Sequence, residues 1–201
     1  MRKAQVNRKT KETNITVKLN IDGKGKAKID TGIGLLDHLL ELFAFHGLFD
    51  LEVVAKGDFE VDKHHTNEDI GIVLGEAFKK ALAKKAGIRR FGSAAVPMEE
   101  VVANAVVDLS GRGSFRFDLG NAAVTYHLTK DGSYEFKDAE HFFDAFAKHL
   151  GMNLNMMIHP LSADLHTTLE PAFKALGLAL DLACQIDKRR KGVPSTKGVI
   201  D

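Results

Sequence analysis

The stretch VDKHHTNEDIG, residues 61–71, sets two adjacent histidines three residues ahead of a glutamate. In a helix, at about 100° per residue, His64 and Glu68 fall roughly 40° apart on one face, while His65 points about 100° away. One helix end then presents a His/Glu pair in one direction and a lone His in another, which suits two metal ions better than one. The pattern recurs. HHTNEDIGIVLGEAFKKAL (64–82) aligns without gaps on HTTLEPAFKALGLALDLAC (166–184), so that His64 meets His166 and Glu68 meets Glu170. Upstream, DHLLELFAFHG (37–47) aligns on EHFFDAFAKHL (140–150), matching His38 with His141. Two blocks in the same order at nearly the same spacing mark an internal duplication, with too few copies for a solenoid. His38, His64, His65, His141 and His166 are five of the nine histidines. With Glu68 and Glu170 they form a donor set of imidazole and carboxylate, which suits Mn, Fe, Zn or Ni rather than Ca or Mg. Neither the finger spacing nor the metalloprotease His-Glu-x-x-His is present.

Cationic residues cluster around glycine turns in GIRRFG (87–92), LSGRGS (109–114) and VPSTKGV (193–199). Arg, Lys and Ser in such turns suit a phosphate monoester. No dinucleotide or Walker glycine motif occurs, and Cys184, in an apolar helical stretch, reads as core rather than nucleophile. The glycines at 71, 75 and 177 fall inside helices and predict close helix packing. Phe43, Phe45, Phe142, Phe143 and Phe146 read as core aromatics.

The elements that must position these residues follow from periodicity. Strands are expected at 13–21 and 25–30, joined by the turn DGKG as a hairpin, and at 50–57, 105–111, 114–120 and 123–128. Helices are expected at 35–46, 66–85, 138–150 and 168–186. The expected fold class is α+β: two similar halves, 1–92 and 93–188, with helices packed on antiparallel sheets, and an irregular tail, 189–201, that closes over substrate phosphate through Ser195 and Lys197.

Composition excludes other classes. The 201 residues carry a net charge of +1, which gives no reason to expect nucleic acid or an acidic membrane as partner. A single cysteine rules out an intramolecular disulfide framework. No apolar run approaches the roughly 20 residues of a membrane span, and the basic N-terminus lacks an apolar signal region, so a cytoplasmic location is expected.

The segments LLDHLLELFAFHGLFDL, DKHHTNEDIGIVLGEAF, GIRRFG, PMEE, VDLSGR, EHFF, EPAFKAL and PSTKG occur in order along the chain. Together they make it similar to the imidazoleglycerol-phosphate dehydratase family of histidine biosynthesis. The resemblance implies a lyase that removes water from imidazole glycerol phosphate to give imidazole acetol phosphate. It also implies two halves like domain 2 of ribosomal protein S5, two Mn2+ ions per active site, and a homo-oligomer of 24 chains with sites between subunits. By position, it implies that His38, His64, His65, Glu68, His141, His166 and Glu170 are metal ligands. Arg90, Arg112, Ser195 and Lys197 match phosphate-holding positions, Glu12 and Lys174 stand near the substrate, and Glu170, Glu68 or Glu12 moves protons. The chain departs from the family's pattern at Thr167, where a second histidine is usual, at Leu42, at Asn153-Leu154-Asn155, and in residues 121–139. The competing readings are a silent paralogue whose metals serve assembly, and another metal-dependent enzyme acting on a phosphorylated substrate.

Overall fold

The computed structural model describes residues 2–120, 130–131 and 134–200. The first half runs β1 (Lys3–Lys9), β2 (Thr13–Asn20), β3 (Ala27–Asp30), α1 (Gly34–His46), β4 (Asp50–Gly57) and α2 (Lys63–Leu82). The second repeats it as β5 (Phe91–Met98), β6 (Val101–Asp108), β7 (Ser114–Asp118), α3 (Phe136–Leu150), β10 (Asn153–His159) and α4 (Leu165–Cys184). A short pair, β8 (Lys130–Asp131) and β9 (Tyr134–Glu135), precedes α3. The sheets have the same order, β1-β2-β4-β3 and β5-β6-β10-β7, so the duplication read in the sequence extends to topology. The strand expected at 123–128 lies outside the described residues.

The expected all-antiparallel sheets are corrected. β3 runs parallel to β4, and β7 runs parallel to β10. The hairpin expected between β2 and β3 does not form, because β2 pairs with β1 and β4 instead. The cause is the helix between β3 and β4: a strand–helix–strand connection delivers the second strand parallel to the first. The DGKG turn is packed onto β4 rather than closing a hairpin. Asp50 accepts the backbone N–H groups of Lys24 and Lys26, and any Cβ on Gly23 would lie 2.2 Å from the Asp50 backbone nitrogen.

Alternation sets each sheet's inner face. Ile15, Val17 and Leu19 of β2 are buried, as are Val101, Ala103, Ala105 and Val107 of β6. The four helices lie between the sheets, α2 against α3 and α1 against α4. Helices covered on both sides should be apolar nearly all round, and α4 is, with Leu165, Leu169, Ala172, Phe173, Leu176 and Leu180 all buried. One core runs through both halves. Phe43, Phe142, Phe143 and Phe146 belong to it, and Cys184 is buried as expected. Phe45 does not: it is 63% exposed, in the last turn of α1.

Both helix pairs cross at a glycine. A Cβ on Gly177 would lie 2.6 Å from the Phe43 carbonyl oxygen, and one on Gly75 would lie 2.8 Å from that of Phe146. These contacts are to backbone, which cannot rotate away. Gly177→Ala should therefore cost about 1–3 kcal/mol by overpacking, outweighing the ~1 kcal/mol that alanine gains in helix propensity. Gly34→Ala, with nothing within 4 Å of its Cβ, should be neutral or stabilising. Denaturant unfolding of the two variants checks the contrast, and equal effects would contradict the crossing geometry.

Candidate active site

His64, His65, Glu68, His166 and Glu170 stand at the N-terminal ends of α2 and α4, and His38 and His141 on α1 and α3. Each end is fixed by an aspartate cap: the Asp62 side chain accepts the His64 N–H, and Asp164 accepts the Thr167 N–H. Such caps satisfy free helix donors and hold the first turn rigid.

At α4, His166 Nε2 lies 2.7 Å from Glu170 Oε2, and His38 Nε2 of α1 approaches the same oxygen at 3.3 Å. All three donor atoms lie within 4.8 Å of one another. Neighbouring ligands on a first-row transition metal, with bonds near 2.1 Å, stand about 3 Å apart, so these two nitrogens and one oxygen fit a single ion. Burial pushes the Glu170 carboxyl up, but hydrogen bonds from Lys174, His166 and His38 outweigh it and hold the pKa at about 2. Lys174 Nζ is 2.5 Å from the other Glu170 oxygen.

At α2, His64 Nε2 lies 3.2 Å from Glu68 Oε2 while its Nδ1 lies 3.0 Å from Nδ1 of His141 on α3. The same three residue types meet, but His64 faces its partners with opposite ring nitrogens, and Glu68 is 48% exposed. The division of donors follows the pseudo-symmetry of the repeat: His38 stands with His166 and Glu170, His141 with His64 and Glu68.

His65 joins neither group within the chain. Its Nδ1 sits 3.1 Å from Asp58 and 4.0 Å from Glu12. The hydrogen bond with Asp58 raises its pKa. A carboxylate on one ring nitrogen leaves the other directed outward, the usual support for a metal-binding histidine. Asp58 escaped the sequence reading, although an acid shortly before a His-His pair is the available signal. Thr167 offers no donor as placed: its hydroxyl is bonded to Asp164 at 2.6 Å and is part of the cap.

The cationic residues expected to meet phosphate do gather. Arg90, Arg112, Ser195 and Lys197 line one cleft of about 510 Å³, together with Ser110 and Arg190, which the sequence reading did not single out. The Arg90 guanidinium is shared. It binds Asp108 through Nε at 2.6 Å and Nη2 at 3.0 Å, and donates from Nη1 to the Pro194 carbonyl at 3.0 Å. Its pKa is raised, first by that aspartate. Arg90 thus pins the tail that carries Ser195 and Lys197.

The cleft and the donor clusters occupy opposite ends of the helices. The Arg90 N–H bonds to the Ala183 carbonyl, thirteen residues beyond Glu170, which is about 20 Å at 1.5 Å per residue. Lys85, just past α2, reaches the Leu109 carbonyl beside the cleft, while Glu68 stands at the far end of α2.

The fold and these groups define a class: a duplicated α+β protein with twinned His/Glu clusters and a separate cationic cleft. A family model described as imidazoleglycerol-phosphate dehydratase matches residues 31–180. Proteins named imidazoleglycerol-phosphate dehydratase from Thermoanaerobacter sp. (strain X514) and Methanocella arvoryzae are 52% and 51% identical, over 100% of both chains in each case. The crystal structure of imidazoleglycerol-phosphate dehydratase from Staphylococcus aureus N315 superimposes with TM-score 0.77 at 30% identity, covering 92% of this chain and 99% of its own. That of the Pyrococcus furiosus protein, in complex with (S)-C348, gives 0.79 at 32%, covering 96% and 99%. The chain belongs to the imidazoleglycerol-phosphate dehydratase family, lyases of histidine biosynthesis. Among the described residues, no helix is long and apolar enough to cross a membrane.

Proposed function

We propose that this protein dehydrates imidazole glycerol phosphate to imidazole acetol phosphate, as a cytoplasmic enzyme with two divalent metal ions, Mn2+ first among them, at each active site. The observation that carries the reading is the convergence of His38, His166 and Glu170 on one point, with a cationic cleft for phosphate built elsewhere on the same chain. His64, Glu68 and His141 would hold the second ion, and His65, steadied by Asp58, would serve as a further ligand. Metal ions held there would act as Lewis acids and stabilise negative charge developing on the imidazole.

The protein's own groups do the rest. Arg112, Ser195 and Lys197 bind the phosphate and fix the glycerol chain, while Arg90 anchors their tail. The hydroxyl on the carbon attached to the ring leaves as water after accepting a proton, the next carbon loses its proton to a carboxylate, and the resulting enol tautomerises to the ketone. Glu170, with its pKa at about 2, is a weak base and serves as a ligand. Glu12, exposed beside His65, is the better-placed proton carrier, with Glu68 the alternative. Lys174 keeps Glu170 ionised.

The two ends of the helices imply an assembly. The substrate spans on the order of 7 Å from ring to phosphorus, given bonds near 1.5 Å. The cleft and clusters of one chain stand about 20 Å apart along the helices. One substrate therefore engages the clusters of one chain and the cleft of another, within a closed homo-oligomer such as the 24-chain particle.

Chelation should abolish turnover and Mn2+ should restore it. Activity that survives verified metal removal contradicts the metal reading. Lys197→Ala should weaken inorganic phosphate and substrate binding by about tenfold or more, the scale of one charge-assisted hydrogen bond, with metal content unchanged. Unaltered phosphate affinity would show the tail to be a solvated end.

A further inference from the structure

Beside the His64/Glu68/His141 cluster lies a buried polar network that ties α2 to α3. The Tyr134 hydroxyl donates to Asn67 Oδ1 at 3.0 Å, and Asn67 Nδ2 donates across to the Asp138 carbonyl at 2.7 Å. Lys63 Nζ lies 3.1 Å from Asp138 Oδ2, which also accepts the Glu135 N–H at 2.8 Å. Tyr134, Asn67 and Asp138 are all at most 2% exposed. The tyrosine's pKa is raised well above its ordinary value by burial, so the hydroxyl stays a donor.

The internal repeat supplies a control. The positions equivalent to Lys63, Asn67 and Asp138 are Leu165, Leu169 and Leu35, and Leu165 and Leu169 are fully buried; the position equivalent to Tyr134 is Thr31, whose hydroxyl bonds to Asp37 and Ile33 of its own half rather than to α4. At the His38/His166/Glu170 cluster, leucines therefore stand where Lys63, Asn67 and Asp138 tie α2 to α3. A buried polar network confers no stability advantage over well-packed apolar residues; what it fixes is a particular register. His38, His166 and Glu170 converge without a hydrogen-bonded tie of this kind, and Glu170 is only 13% exposed. Glu68 is 48% exposed, and His141 is carried on α3, so the fit of α3 against α2 decides whether His141 meets His64. Asn67 adjoins Glu68 and lies one turn from His64, while Asp138 lies one turn before His141.

We propose that Tyr134, Asn67, Asp138 and Lys63 are positioning residues that lock α3 onto α2 and thereby bring His141 to His64 and Glu68 as a metal site. This inference rests on the metal reading above. The network acts on one of the two ions only, because the other cluster has leucines in its place.

The test is calorimetric titration of the metal-free assembled protein with Mn2+, for the unaltered protein, Tyr134→Phe and Asn67→Leu. Tyr134→Phe removes one hydroxyl, and Asn67→Leu copies the residue of the other repeat. The thermal midpoint of each metal-free protein is measured alongside, to separate positioning from loss of fold. The expected result is that one class of Mn2+ site weakens at least tenfold, the scale of lost support behind a metal ligand, while the other class keeps its affinity. Both classes unchanged in Tyr134→Phe, or both weakened together in step with the thermal midpoint, would overturn the positioning role. An unaltered protein that binds no Mn2+ would overturn the metal reading itself and this inference with it.

Discussion

Glu170→Gln should reduce product formation on the order of 10³-fold, the scale seen when one preorganised electrostatic group is removed from a reacting site. The amide keeps the volume but removes the negative charge on which three partners converge. His166 Nε2 at 2.7 Å and His38 Nε2 at 3.3 Å lose the anion that draws them together, and Lys174 loses its ion-pair partner at 2.5 Å. A neutral amide is a poor ligand for a transition metal beside two imidazoles, so one of two bound ions should be lost on metal analysis. The half-buried Lys174 ammonium is left unpaired, adding about 1–3 kcal/mol of instability. In the unaltered protein, the carboxyl pKa is lowered from 4.5 to about 2. The stability this contributes is fully present above pH 4.5 and is lost as pH falls through about 2. Glu170→Gln should flatten that part of the acid-unfolding profile. Full activity with two ions still bound would remove Glu170 from the site.

Two impaired variants should rescue each other when assayed at low substrate. Glu170→Gln damages a metal cluster, and Lys197→Ala damages the phosphate cleft about 20 Å away along α4. If each active site draws its clusters from one chain and its cleft from another, a mixed assembly contains sites in which both damaged parts are absent. Random mixing at equal ratio makes about a quarter of the sites intact, so activity should return to about that fraction of the unaltered protein's. The mixture is made by co-expressing the two variants with different tags and selecting particles that carry both. Homogeneous particles of either variant, measured in parallel, set the background. No recovery in verified mixed particles would mean that each chain completes its own site, and the placement of cleft and clusters would need another explanation.

Much of the architecture was legible because the chain says it twice. Helices α1 to α4 followed from apolar spacing, with boundaries within three residues of those observed, and the duplication of the sheets followed from the duplicated blocks. The missed strands were those whose residues disguise the alternation. β1 reads KAQVNRK, with lysine, asparagine and arginine alternating with only Ala4 and Val6. β5 contains Gly92 and Pro97, and β10 opens with two asparagines that face outward or sit at the edge of burial. The turn signal at 22–25 was real but local. A strand–helix–strand connection decided the pairing, and local turn chemistry cannot see which strand will lie alongside. Phe45 was misplaced for a similar reason: its exposure depends on which parts of α1 the rest of the fold covers, which apolar spacing alone does not fix.

The candidate site was legible where chemistry is carried by rare residue types at repeated spacing, as with His38, His141 and the two His-x-x-x-Glu pairs. It was not legible where ordinary residues act through tertiary contact. Asp58 behind His65, Asp108 behind Arg90, and Tyr134 against Asn67 are separated from their partners by 7, 18 and 67 residues, and none carries a spacing signal. The 20 Å between cleft and clusters was invisible too, because it depends on both helices running the same way between the two ends.

The central claim is that this chain removes water from imidazole glycerol phosphate. The most direct measurement is to incubate the Mn2+-loaded assembled protein with that substrate and follow the ketone product, imidazole acetol phosphate, by mass spectrometry, with released inorganic phosphate assayed in the same samples. The expected result is a product lighter than substrate by one water, formed only with metal present and with no phosphate release. Phosphate release without the dehydrated product, or no product with any divalent transition metal, would contradict the account.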